Sequence, residues 1–204
     1  MADIVQAIEN LFVNRHDVYP RQLDGLNEYR VIKEKINKDL IAKHLSGEIT
    51  IGSFQINPED NKVKWICFDF DGHLAEELEK AKKLFSRLKE KGFSPLLEFS
   101  GRRGYHIWLF VEPVDASVAR KFATEISKDS KPHEVFPRQD KIEKNEFGGQ
   151  VKIPLGIHRA SKQRSFLFDE NFRQLSDTES RKLLIKINNQ PRDVVRVRSL
   201  KEFI

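Results

Sequence analysis

The spacing of apolar residues along the 204-residue chain changes repeatedly, and each change predicts an element. Residues 2–13 and 31–45 place apolar side chains at helical intervals, and Gly47 is positioned to close the second helix. The polar, Pro-containing run from Arg15 to Gln22 connects them, within an irregular stretch over 14–30. Residues 50–55 and 62–71 read as strands joined by the turn residues Asn57-Pro-Glu-Asp-Asn61. Ala75, Leu78, Ala81, Leu84, Phe85 and Leu88 then return to helical spacing and stop at Gly92. Residues 95–100 and 105–111 form a predicted hairpin around Gly101-Arg-Arg-Gly104. Asp115 is placed to cap a helix reaching about Lys128, and a short strand follows at 134–136.

From Lys62 onward this order is β-α-β-β-α-β, the split βαβ or ferredoxin-like pattern. It predicts an α+β fold whose antiparallel sheet has the order 4-1-3-2, with helices on one face and the other face open. Strands at 150–155 and 165–168 follow, then a helix whose start, Ser176-Asp-Thr-Glu179, has capping-box spacing.

Strand alternation sorts the side chains. Ile66, Phe68 and Phe70 share one face, as do Ile107, Leu109 and Val111, and both sets suit packing under helices. Asp69 and Asp71 therefore project from the opposite face, with His106, Trp108 and Phe110 and with Glu98 and Ser100. In the predicted order the first and third strands are antiparallel neighbours, so the two aspartates lie beside His106 at one sheet edge. Adjacent carboxylates repel unless a cation intervenes, and hard oxygen donors favour Mg²⁺ or Mn²⁺ over zinc.

Charge adds a second asymmetry. Lys and Arg number 36 against 31 acids, a formal net charge of +5, which makes phosphate-bearing partners plausible without identifying one. Between Gln150 and Phe168 there is no acid, while Lys152, His158, Arg159, Lys162 and Arg164 occur. The single cysteine, Cys67, excludes an internal disulfide framework and a Cys-based zinc site and points to a reducing, cytoplasmic compartment. No apolar run approaches membrane-spanning length, and the first residues lack a signal-peptide pattern, so no membrane partner is expected.

Phe68-Asp-Phe-Asp71 followed by Ser100-Gly-Arg-Arg-Gly-Tyr-His106 resembles the first two motifs of the archaeo-eukaryotic primase superfamily. Val135-Phe-Pro-Arg-Gln-Asp140 and Lys152-Ile-Pro-Leu-Gly-Ile-His-Arg159 resemble the continuation in primase-polymerases of CRISPR-associated and TOTE conflict systems. Asp17-Val-Tyr-Pro-Arg-Gln22 and His44-Leu-Ser-Gly-Glu-Ile-Thr-Ile-Gly52 are similar to the same group, and the resemblance covers about residues 11 to 169. It implies a DNA-dependent primase-polymerase that makes or extends primers from NTPs or dNTPs on template DNA, using two divalent ions. Asp69, Asp71 and Asp140 are the implied catalytic, metal-holding residues, with Glu134 the alternative third acid on strand topology. Ser100, His106, Lys152, His158 and Arg159 are the implied nucleotide contacts, and Arg102 and Arg103 are candidates for template or primer phosphates. Accessory replication, helicase or CRISPR-system subunits are the further partners.

The expected organisation is one catalytic domain over residues 1–190. It comprises an N-terminal α/β extension (1–61), an RRM-like metal-binding unit (62–140) and nucleotide-binding strands with a closing helix (141–190), followed by a basic tail at 191–204. Two rival readings share the topology. A non-catalytic RRM-like module would stack bases on Trp108 and Phe110 and bind nucleic acid without metal. A nucleotide cyclase would consume triphosphate without a template.

Overall fold

In the computed structural model, which describes residues 2–189, the chain runs α1 (Ala2–Phe12), β1 (Tyr19–Gln22), β2 (Tyr29–Ile32), α2 (Lys38–Ser46), β3 (Gly52–Phe54), β4 (Lys62–Asp71) and α3 (Leu74–Glu90). It continues through β5 (Leu96–Phe99), β6 (Gly104–Asp115), α4 (Ala116–Ser127), β7 (Glu134–Phe136), β8 (Gln150–Lys152), β9 (Phe166–Leu167) and α5 (Asp177–Asn189). The expected basic tail at 191–204 lies outside the described residues. No helix among the described residues is long and apolar enough to cross a membrane.

The main sheet is antiparallel with the order β7-β4-β6-β5-β9. Counted within the β-α-β-β-α-β unit this is 4-1-3-2, extended at one edge by β9. One face packs on α3 and α4: Phe68, Phe70, Ile107 and Leu109 join Leu84, Leu88 and Phe122 in one core. This is the alternation expected from the sequence.

The opposite face is not open along its length. Trp65, Cys67, Trp108 and Phe110 form a second core with Ile8, Leu11 and Phe12 of α1, Ile41 and Leu45 of α2, and Leu184 of α5. Phe12 meets Trp108 and Phe110 edge-on at centroid distances of 5.0 and 5.3 Å. The indole N–H of Trp65 donates to the Phe12 carbonyl at 2.9 Å. Large apolar side chains left in water forgo about 1.5–3 kcal/mol each, so the aromatic residues on this face require a cover. The N-terminal helix supplies much of it, and the polar end of the sheet is left free.

Residues 31–45 are not one helix. Residues 29–32 form β2, which pairs with β1 from Tyr19↔Ile32 to Gln22↔Tyr29, so the stretch expected to be irregular is largely a hairpin. Helix α2 begins only after Asn37, whose Oδ1 accepts the Leu40 N–H at 2.9 Å. Gly47 ends it as expected, with φ 89°. At α5 the capping box forms: Glu179 Oε2 accepts the Ser176 N–H at 2.8 Å, and Ser176 Oγ accepts the Glu179 N–H at 3.3 Å. Asp115 stands at the N-cap of α4 but makes no side-chain capping bond.

Candidate active site

Three strands bring their acids to one sheet end. Asp69 of β4 stands directly opposite His106 of β6 on one side and Glu134 of β7 on the other, and directly opposed residues share a face. Asp71 lies two residues on, opposite Gly104. A Cβ on Gly104 would sit 2.3 Å from the Phe70 carbonyl oxygen, so glycine is what lets the hairpin approach β4 here.

The acids are unequally neutralised. Asp71 takes both arms of Arg103, Nε at 3.1 Å and Nη2 at 2.8 Å, and Glu134 pairs with Arg138 at 3.0 Å. Among the described residues Asp69 has only His106 Nε2, at 3.7 Å. Burial pushes the Asp69 carboxyl above its ordinary pKa, and Asp71 and Glu134 add to this against the opposing pull of His106 and His133. Such a group gains from a nearby cation. No three His, Cys, Asp or Glu side chains among the described residues already surround a single point. The donor chemistry nevertheless suits a hard divalent ion: all three carboxylates present oxygen, and two already hold a cation in the form of a guanidinium.

Asp140 is not brought to this cluster. Strand β7 runs antiparallel to β4, so residues beyond Phe136 move away from Asp71, and Ile142 N–H donates to Asn61 Oδ1 at the far end of β4 at 2.7 Å. Pro137, lacking an N–H, follows the last paired residue. Asp140 is exposed and pairs with Arg120 of α4, on the helical side of the sheet, at 3.1 Å. Glu134 holds the position beside Asp69.

Beneath the acids lies a buried polar floor. Glu98 of β5 is fully buried. Its Oε2 accepts hydrogen bonds from His106 Nδ1 at 3.0 Å and Trp108 Nε1 at 2.8 Å, and its Oε1 lies 3.5 Å from Lys152 Nζ. Burial favours the neutral acid, but Lys152 and then the His106 and Trp108 donors outweigh it and hold the Glu98 pKa down at about 2. Burial also opposes charge on His106, where Glu98 and Asp69 win and raise its pKa. At Lys152 burial prevails and the pKa falls. Besides Glu98, Lys152 bonds, among the described residues, only the neutral Ser165 Oγ and its neighbour's carbonyl, both at 3.1 Å.

These groups open into a cleft of roughly 190 Å³ that also takes in Ser100, Arg102, Arg103 and His158. Of the basic residues in the acid-free stretch, only Lys152 and His158 line it. His158 Nε2 lies 3.0 Å from Asn27 Oδ1, and burial, Lys152 and Arg102 together push its pKa down to about 4. Arg159 does not reach the cleft: its Nη2 donates to the Gly47 carbonyl at 2.8 Å. Arg164 likewise donates to the Leu45 carbonyl at 2.9 Å. The end of α2 leaves carbonyls without intrahelical partners, and these two guanidinium groups satisfy them. Lys162 is exposed and outside the cleft.

Two residues of the cleft escaped the sequence reading. Asn27 and Tyr29 line the cleft from the β1–β2 hairpin, in a stretch read as irregular. Glu98 was placed on the correct face, but only its position directly opposite His106 shows what it does.

The antiparallel sheet of order β7-β4-β6-β5-β9 with its flanking helices has the fold of primase-polymerase catalytic domains. The polymerase domain from Mycobacterium tuberculosis Ligase D, in complex with DNA, shares it with a TM-score of 0.52 and 15% identity over 98% of this chain and 90% of that one. The chain belongs to the archaeo-eukaryotic primase domain family of TOTE conflict systems, whose model matches residues 26–196. The catalytic domain of primase RepB′ in complex with initiator DNA aligns at 11% identity over 92% of this chain and 94% of that one, with a TM-score of 0.45. No curated protein matches.

Proposed function

We propose that the protein is a DNA-dependent nucleotidyltransferase that makes or extends primers on a template strand from nucleoside triphosphates. What carries this reading is the meeting, in one cleft, of an acid cluster at the sheet end with a cationic floor a few ångströms below it. A triphosphate needs both. Asp69, Asp71 and Glu134 would hold two divalent ions, Mg²⁺ or Mn²⁺, which when bound acidify a primer 3′-hydroxyl and neutralise charge on the triphosphate.

The chain's own groups do the remaining work. His106 presents its Nε2 N–H to a phosphate oxygen from the floor, Lys152 places positive charge beneath it, and the Ser100 hydroxyl adds a neutral donor. Arg103, with its side chain 55% exposed, is free to leave Asp71 for a phosphate when the carboxylate takes a metal. Arg102 extends the positive rim toward the template strand. The RRM-like binding alternative needs Trp108 and Phe110 as stacking surfaces, and both are packed beneath α1.

The test is nucleotide incorporation on primed and unprimed single-stranded templates, with NTPs and dNTPs supplied separately and Mg²⁺ or Mn²⁺ present. Incorporation that disappears in chelator, and in Asp69→Ala and Asp71→Ala proteins that remain folded, is the expected result. Metal-independent nucleic-acid binding with no extension of any primer refutes it, and template-independent consumption of triphosphate points to the cyclase instead.

A further inference from the structure

We propose that Glu98 is a positioning residue, a buried carboxylate that never meets substrate but fixes His106 and Lys152 in the geometry that grips a nucleoside triphosphate. The proposal rests on the nucleotidyl-transfer reading of the same cleft. It begins from location: Glu98 is fully buried, and its cross-strand partner is His106. Both of its oxygens are engaged, one by His106 and Trp108 and the other by Lys152.

Each contact has a directional consequence. With Nδ1 tied to Glu98, the ring atom of His106 left for the cleft is Nε2, which faces Asp69. Turning the ring over would set a carbon against the carboxylate and lose the bond. Lys152 is a flexible side chain whose ammonium is held on three sides, by Glu98, Ser165 and a main-chain carbonyl. Glu98 is itself held, because its Trp108 donor is wedged between Phe12 and Trp65, each at 5.0 Å between centroids. The indole therefore pins the carboxylate, and the carboxylate pins one phosphate donor, His106 Nε2, and the positive charge of Lys152.

Only a carboxylate meets these demands. A glutamine offers oxygen on one side and an amide N–H₂ on the other. Keeping its oxygen toward His106 and Trp108 turns the amide donor on Lys152, and the opposite rotamer turns it on the other two donors. Glu98→Gln thus preserves size while breaking one arm of the device. Burying an ionised acid is costly, and a chain needing only core packing would place an apolar residue here.

The experiment compares wild type, Glu98→Gln, Glu98→Leu and Lys152→Met in steady-state incorporation, and measures nucleoside triphosphate binding by calorimetry with Ca²⁺ replacing the catalytic ion. Near-UV circular dichroism and thermal melting establish that each variant is folded. Loss of a charge-assisted contact corresponds to about 10- to 100-fold, and that rise in the triphosphate KM and Kd is expected for Glu98→Gln. The primer-template KM stays unchanged and kcat stays within about threefold, the pattern of Lys152→Met. A merely structural role lowers kcat through a smaller active fraction and leaves KM alone, which overturns the proposal, as does an unchanged Kd. Should Glu98→Leu fail to fold, Glu98→Gln decides. If wild type extends no primer yet binds triphosphate through Glu98, the nucleotidyl-transfer reading falls and the positioning role stands. If wild type binds no triphosphate, the positioning role falls as well.

Discussion

Acidification from pH 7 to 5 should weaken the fold through His44, far from any exposed surface. His44 is fully buried in α2. Its Nδ1 accepts the Ile51 N–H at 3.1 Å, while its Nε2 lies 3.0 and 3.2 Å from the carbonyl oxygens of Ile153 and Pro154. A donor facing one nitrogen and acceptors facing the other specify the neutral ring with its proton on Nε2. Burial, followed by the charge on Lys152, pushes its pKa down to about 3, against the pull of the two carbonyls and Glu98. The folded value lies below the unfolded one, so the stabilisation from keeping the ring neutral is complete above about pH 6.5 and is lost as pH falls toward 3. At pH 5 the unfolded ring is about 1.5 pH units into its protonated range and the folded ring still neutral, a cost of about 2 kcal/mol. His106, with its raised pKa, works in the opposite sense, so wild type alone does not isolate the effect. His44→Gln removes the titration, and losing the ring's bonds should cost about 1–3 kcal/mol at pH 7, within the 5–15 kcal/mol of a typical domain. Urea unfolding of both proteins at pH 7 and pH 5 should show the wild-type advantage shrinking by about 2 kcal/mol at the lower pH. An advantage equal at both values refutes the assignment of a locked neutral ring.

Gly104→Ala should destabilise the protein by about 2–4 kcal/mol in chemical unfolding and lower incorporation further than stability alone explains, because the added methyl meets the Phe70 carbonyl oxygen at 2.3 Å beside Asp71. Glu134→Gln should reduce incorporation at least 100-fold at fixed Mg²⁺, whereas Asp140→Asn should stay within about threefold, and the reverse order would restore Asp140 as the third acid. Trp108→Phe keeps an aromatic core residue but removes the N–H that holds Glu98. It should cost about 1–3 kcal/mol in thermal or urea unfolding, with a rise in the triphosphate KM that a pure packing defect would not produce.

What was legible in the chain followed from strict periodicity. Alternation in 62–71 and 105–111 gave both faces of the central ladder, and pairing of Asp69 with His106 followed from the strand order. The misread segment, 31–45, mixes β-branched residues with helix formers, and its boundary depends on one local capping bond from Asn37. Which element covers Trp65 and Trp108 was hidden, because a helix near the N-terminus has no sequence signature for the strand it meets. Arg159 and Asp140 carried the right chemistry for a site but satisfy other partners, a helix end and Arg120, and only three-dimensional placement reveals such competition.

The indole of Trp108 belongs at once to the packing beneath α1 and to the hydrogen bonds beneath the acids. This divides the site into parts with different freedom to diverge. Glu98, His106 and Lys152 are joined through Trp108 to the interior, so change there must be matched by repacking of the core. Arg102 and Arg103 sit on a hairpin tip at the mouth, where Arg103 pairs with the part-exposed Asp71, and the exposed Asn27 on the other hairpin reaches the floor only through His158. Members of the family that prefer different sugars or templates should therefore differ first at the mouth, over a floor that stays the same.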